Sequence, residues 1–397
     1  MTAEVLPPPP LTVGPVGWLR RNLFYSPMSA LVTIVLAAAL GWLALQLVTW
    51  AVTDARWSVV TDNLRVFMIG RYPGDEAWRI WLSLAILSLL SGLGAGQFGR
   101  TTRTLAVALS AIQALMALLI AASPIGLTGV VAYAANSALV WVAFAIGVRG
   151  WPPRRVIRIA WLVSLPVTFW LIAGFTGTPI ASVRSNDWGG LLLTVLLAAT
   201  GIVLSFPFGV LLALGRRSAL PAVRMLSTGY IELIRGVPLV TILFMADLIL
   251  PLFLPQQLTL DRVARAIGGI TLFSAAYVAE NVRGGLQAIP TGQVEAAQAL
   301  GLSGMQTNVY IVLPQALRSV IPANVGLFIS LLKDTTLVSI IGLLELLNIG
   351  RAILAQPESL GARMEVYTFI AAVFFVLCYA MSQASYRLER QLGVGVR

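Results

Sequence analysis

Residues 295–314 read EAAQALGLSGMQTNVYIVLP, a polar stretch rich in Ala and Gly inside a chain that is otherwise strongly apolar. Glu295, Ala296, Ala297 and Ala299 favour helix, and Gly301 can take a positive φ and end it. Ser303 is a candidate N-cap for a second short helix, and Pro314 breaks or kinks the entry to the next apolar run. The stretch therefore predicts two short helices joined at a glycine, a compact knob with a smooth alanine face that another protein can approach. Local physics leaves one alternative open, an ordinary amphipathic loop.

Composition says what this knob is kept out of. Of 397 residues, 58% are hydrophobic and 11% charged, with mean hydropathy +0.86; soluble domains carry about 25% charged residues. Most of the chain meets lipid. Stretches of the required length of about 20 apolar residues lie at 30–52, 78–97, 104–122, 128–148, 157–175, 190–214, 233–254, 264–282, 318–340 and 364–386. The expected fold is an all-α integral membrane protein of about ten transmembrane helices. The ninth stretch is interrupted by Lys333 and Asp334. The net charge of +11 does not point to nucleic acid, because the arginines are scattered between apolar runs instead of forming one patch. Histidine is absent, which excludes His metal ligands and His general bases. Neither a metal site nor a catalytic set is expected. Cys378 is the single cysteine, a small lipid- or core-facing residue that cannot form an intrachain disulfide.

Short loops set the orientation. GQFGRTTRT and GVRGWPPRRVIR are basic, whereas ASPIGLTG between them carries no charge. By the positive-inside rule the first two are cytosolic, which puts residues 295–314 and both termini in the cytosol. The opening MTAEVLPPPPLTVGPVGWLRRNLFYSPMS has a proline run where a signal peptide needs an apolar core. It reads as a cytosolic tail over 1–28 with an interfacial stretch around Trp18. GFTGTPIASVRSNDW marks a division near 176–188, with about five spans over 29–175 before it and about five after it. The halves show no clear repeat, which disfavours a secondary transporter built from repeats.

The spacing Glu295-Ala296-Ala297, three residues, Gly301, nine residues, Ile311-x-Leu313-Pro314 resembles, at every fixed position, the EAA motif of ABC importer permeases. WGGLLLT at 188–194, YIELIRGVPL at 230–239, AYVAENVRGGLQAIPTGQVEAAQALGLS at 276–303 and LLKDTTLVS at 331–339 are similar to the polar amino acid subfamily of those permeases. The long form, with RYPGDEAWRIWLSL at 71–84, resembles the larger permease subunit of general L-amino acid and glutamate/glutamine/aspartate importers. The resemblance implies a five-helix type I importer core over 188–390 with a coupling loop at 284–314, and residues 29–175 as an added transmembrane extension. It implies that Glu295, Ala296, Ala297, Gly301, Ile311, Leu313 and Pro314 engage an ATPase subunit. It further implies an inner-membrane location and four kinds of partner: an ATP-binding subunit dimer, a second homologous permease, a periplasmic amino acid-binding protein and membrane lipid. No cofactor is expected on this chain. GxxxxGK[ST] is absent, so ATP and Mg belong to the ATPase and this subunit is not itself an enzyme.

Polar residues within the apolar stretches are the candidates for a substrate path or gate. Glu232 and Arg235, three apart at the expected inner start of a helix, form either a membrane-boundary ion pair or part of a gate or interface. Asp247 sits mid-run in VTILFMADLILPLF, where a lone carboxylate is costly. It faces a substrate path, or it is packed or protonated at a subunit interface. Lys333, Asp334 and Thr335 hold a helix break through a buried Lys–Asp pair, or meet the charged ends of a substrate. A second function class, an ion-coupled secondary transporter using Asp247 and Asp334, has no use for an ATPase-docking knob.

Overall fold

The structure, a computed structural model, describes residues 14–121, 127–175, 177, 180–255 and 260–393. The proline run and the first five residues of the ASPIGLTG loop lie outside the described residues, as does part of the 176–188 division. The chain forms two compact units, Met1–Trp57 and Ser58–Arg397.

The first unit holds α1 (Pro15–Asn22) and α2 (Pro27–Thr49), the latter prolonged by a π turn over Trp50–Asp54. Ser26 caps α2 by accepting from Ser29 N at 3.1 Å, and Pro27 occupies the first turn, where its missing N–H costs nothing. No α2 residue is buried. A helix apolar all round has lipid as its solvent.

The second unit begins with two short helices, α3 (Ser58–Asp62) and α4 (Leu64–Ile69). Next come four spans: α5 (Trp78–Gln97), α6 (Arg100–Ala121), α7 (Leu127–Val148) and α8 (Arg154–Ala173). Gly92 and Gly96, four apart on α5, let α7 approach closely. A Cβ on Gly96 would lie 2.6 Å from Gly147 C, and one on Gly92 2.2 Å from Val140 O. Small residues at this spacing are how helices pack where lipid removes the hydrophobic drive.

The rest of the unit is α9 (Gly190–Arg216), α10 (Pro221–Arg235), α11 (Leu239–Phe244), α12 (Leu250–Phe253), α13 (Arg262–Gln287), α14 (Thr291–Ala299), α15 (Gly304–Gln306), α16 (Leu313–Asp334), α17 (Leu346–Leu354) and α18 (Arg363–Leu392). Leu193, Leu197, Ile270 and Leu331 join α9, α13 and α16 in one core. Ala213, Val278, Val282 and Ala316 continue it toward the other end.

Among the described residues eight helices are long and apolar enough to span, and the bent pair α10 with α11–α12 makes nine. α13 has span length but carries Arg262, Arg265, Glu280 and Arg283, so it falls short on apolarity. The expected straight span at 233–254 is instead broken by 107°. Pro238 cannot donate to the preceding turn, and the residue before a proline is pushed out of the helical region. Glu232 and Arg235 consequently sit in the last turn of α10, not at the start of a helix.

Fully buried Glu345 caps α17, accepting from Leu347 N at 2.7 Å and Asn348 N at 2.8 Å. Thr194 on α9 accepts from Leu346 N at 3.1 Å, locking α17 to that span. Burial pushes the Glu345 carboxyl up to about 7, against the pull of the two N–H groups.

Candidate functional site

The loop after α13 is built from local rules. Pro290 leads into α14. At its other end Gly301 takes φ +80. Gly301 N bonds Gln298 O at 2.9 Å and Leu302 N bonds Ala297 O at 3.2 Å, the paired bonds of a Schellman stop. Two residues on, Ser303 and Gln306 form a reciprocal capping box. Ser303 Oγ accepts from Gln306 N at 3.3 Å, and Ser303 N donates to Gln306 Oε1 at 2.9 Å.

The second half of the loop is not the separate short helix expected. α15 runs through a π-helical segment, Thr307–Val312, directly into α16. Pro314 falls in the first turn of α16. It has no N–H to give the preceding turn, and a π segment is a way to pass that gap without ending the helix. The loop is therefore one short helix, a glycine turn, and the start of a long span that carries on through the π segment into α16.

The motif residues divide by exposure. Ala297 is 4% exposed and anchors α14, while Glu295, Ala296, Gly301 and Pro314 are exposed and Ile311 and Leu313 half-buried. Three apolar side chains also stand out: Leu300 at 83%, Met305 at 79% and Tyr310 at 67% exposed. Sequence reasoning passed over them. The signal was available, since large apolar residues in a polar loop need a cover.

Charges at this end of the spans form a network. Glu280 on α13 pairs with Arg216 of α9 at 3.4 Å, with Arg235 of α10 at 3.5 Å and with Arg283 one turn on. Glu232 pairs with Arg216 at 3.0 Å, not with Arg235. Arg235 also lies over the Tyr277 ring at 5.7 Å. Three helices are thus pinned by five side chains, and Glu280, which sequence reasoning did not single out, is the centre.

At the opposite end of α13, Asp247 lies on a π-helical segment, Met245–Ile249. It is 7% exposed, and its Oδ1 stands 3.1 Å from Arg265 Nη2 and 3.3 Å from Arg262 Nε. Arg265 also donates to the Asp247 carbonyl. The carboxylate is not alone: two arginines offset its charge and tie the broken span to α13. The expected buried Lys333–Asp334 pair does not form. Lys333 is exposed and Asp334 half-buried, because neighbours in a helix point to different sides. The helix break itself is present. α16 gives way to a 3₁₀ turn over Thr335–Ile341, and buried Thr335 donates to Leu332 O at 2.7 Å.

Residues 205–392 match the family described as binding-protein-dependent transport system inner membrane component. The inner membrane amino-acid ABC transporter permease protein YhdY of Escherichia coli (strain K12) is 36% identical, over 95% of this chain and 93% of that protein. The chain belongs to this permease family. It is a multi-pass inner membrane permease. The glutamate/glutamine/aspartate/asparagine transport system permease protein BztC of Rhodobacter capsulatus is also 36% identical, over 98% of this permease and 97% of its own length. The probable glutamine ABC transporter permease protein GlnP of Bacillus subtilis (strain 168) is 38% identical, over 51% of this permease and 91% of its own length. A permease of that kind thus corresponds to about half of this one.

Proposed function

We propose that this chain is the membrane subunit of an ATP-driven importer of L-amino acids, and that the loop around Gly301 is where an ATPase subunit grips it. The observation that carries this reading is the loop itself: a short helix closed at Gly301 and a second segment continuous with α16, which together present Leu300, Met305 and Tyr310 uncovered. A groove that buried them would transmit its motion straight into a span. The names of the relatives support an amino acid as cargo. ATP and Mg are assigned to the partner ATPase, and a second homologous permease and a periplasmic binding protein complete the assembly. A loaded binding protein docks outside, ATPase closure moves the loop, and the spans alternate between two packed arrangements. Residues 29–175 are read as an extension added to the core over 188–390, consistent with a family match confined to 205–392.

Drive is tested in proteoliposomes holding the assembled transporter, with ATP inside and binding protein and labelled L-amino acid outside. Uptake persists when ionophores collapse all gradients and stops without ATP. Uptake that dies with the gradients while ATP remains would support the ion-coupled alternative. Asp247 gives that alternative little help, since its charge is already matched by two arginines.

Orientation is set by the arginine bias. A reporter active only in the periplasm is expected to be active when fused after residue 185 and silent after residue 225. The reverse pattern would turn the loop away from any cytosolic ATPase.

A further inference from the structure

A cavity of about 690 Å³ lies between α5–α8 and the adjoining flanks of α9 and α18, within the range of about 300–1,000 Å³ typical of small-molecule sites. Its wall is almost wholly apolar, including Leu84, Leu119, Val195 and Val376. Four of its hydroxyls are spent on backbone carbonyls of their own helices, while those of Thr128 and Tyr133 also belong to the lining. Ser83 donates to Arg79 O at 2.8 Å, Ser164 to Trp161 O at 2.8 Å, Thr168 to Leu165 O at 3.0 Å and Thr200 to Leu196 O at 2.6 Å. Gln113 gives its Nε2 to Ser88 and leaves one acceptor, Oε1, without a partner among the described residues. Beside the Gln113 amide oxygen and the Thr128 and Tyr133 hydroxyls, a zwitterionic amino acid would find no carboxylate for its ammonium group among the described lining residues. This is not a place for the transported substrate.

The cavity has a polar end. Among the described residues Arg65 is its only charged lining residue. Arg65 is exposed and donates from one nitrogen, Nη2, to Tyr72 O at 2.9 Å. Ala77, Thr128 and Leu191 mark the same end, at the starts of α5, α7 and α9. From there the lining runs along α5 from Ala77 to Leu87 and along α9 from Leu191 to Val203. At 1.5 Å rise per residue that is about 15–18 Å, half of a hydrocarbon core about 30 Å thick. The slot is one leaflet deep, with a cation at its mouth.

We propose that this cavity is a binding site for one membrane phospholipid, its acyl chain between the α5–α8 bundle and α9/α18 and its phosphate on the Arg65 guanidinium. Chain burial supplies affinity in proportion to methylenes covered, and the free edge of a planar guanidinium suits phosphate oxygens. The lipid would fill the seam between extension and core and bind the two together. The proposal does not depend on which cargo is carried or on the coupling loop.

The full-length protein is reconstituted in nanodiscs containing phosphatidylglycerol with dibrominated acyl chains, then exchanged into detergent and washed. Retained brominated lipid is counted by mass spectrometry. About one lipid per chain is expected to stay on the wild type. Leu84→Trp and Ala199→Trp fill the slot from opposite walls, so one remains informative if the other misfolds. Each is expected to lower retention by at least about tenfold, the effect of denying about two methylenes. Arg65→Gln is expected to lower it several-fold. Quenching of Trp81 and Trp161, both in the wall, should keep the same order. A wild type that washes as clean as Leu84→Trp and Ala199→Trp overturns the site. Retention untouched by Arg65→Gln overturns the phosphate assignment and with it the proposal of a phospholipid.

Discussion

Gly301→Val is expected to leave the chain inserted and folded while binding-protein-stimulated ATP hydrolysis and uptake fall about tenfold or more, the scale of coupling free energies of 1–3 kcal/mol. A Cβ at Gly301 would meet nothing within 4 Å. The cost is therefore not a clash but the backbone: φ +80 is strained for any side chain, by about 1–2 kcal/mol, and most for a β-branched one. That is too little to unfold a bundle of spans. It is enough to open the Schellman stop and re-aim α14 against α16. Gly301→Asn, which tolerates this region better, should retain most activity. Glu295→Ala, at an exposed position, should be mild. The check is ATPase co-purification beside stimulated hydrolysis in liposomes. A Gly301→Val complex that holds its ATPase and transports at the wild-type rate would remove the Gly301 turn from the mechanism.

The second large effect is expected at Asp247, and it is on stability. Asp247→Ala leaves Arg265, whose side chain is 13% exposed, and the more exposed Arg262 facing one another without a counter-charge. Breaking a buried pair costs about 3–5 kcal/mol. The lower end applies here, because Arg262 keeps access to solvent or headgroups. The melting temperature of the purified chain should drop with Asp247→Ala. Adding Arg265→Gln should restore part of it, giving a favourable interaction term in the double-mutant cycle. A variant that melts like the wild type but transports poorly per assembled complex would instead put Asp247 on the substrate path.

Much of this was legible because the bilayer imposes simple rules. Apolar length gave most of the spans, the fixed residues of the EAA spacing pointed to the loop, and arginine placement supplies an orientation that the reporter fusions test. Gly301 and Ser303 were read from local chemistry and sit in a Schellman stop and a capping box. Pairings between helices were not legible. Glu232 and Arg235 look like partners at i,i+3, but the 107° break puts them at a helix end facing α9 and α13. Asp247 looks isolated because its arginines are fifteen and more residues ahead and meet it only once the span folds back. Pro314 reads as a stop because sequence alone does not show a π segment absorbing its missing donor. The glycines at 92 and 96 carried a packing signal in their spacing of four.

The central claim is that an ATPase covers the loop, and protection of Leu300 tests it most directly. In a Cys378→Ser background, Leu300→Cys is labelled with a membrane-impermeant maleimide, in the isolated chain and in the assembled transporter with its ATPases. The side chain stands 83% exposed in the chain alone, so labelling there is fast. Assembly is expected to slow it by at least about tenfold, as for a residue taken into a packed interface core, and a short bifunctional reagent is expected to join it to the ATPase. Equal labelling in both states, with no cross-link, would contradict an ATPase seated on this loop.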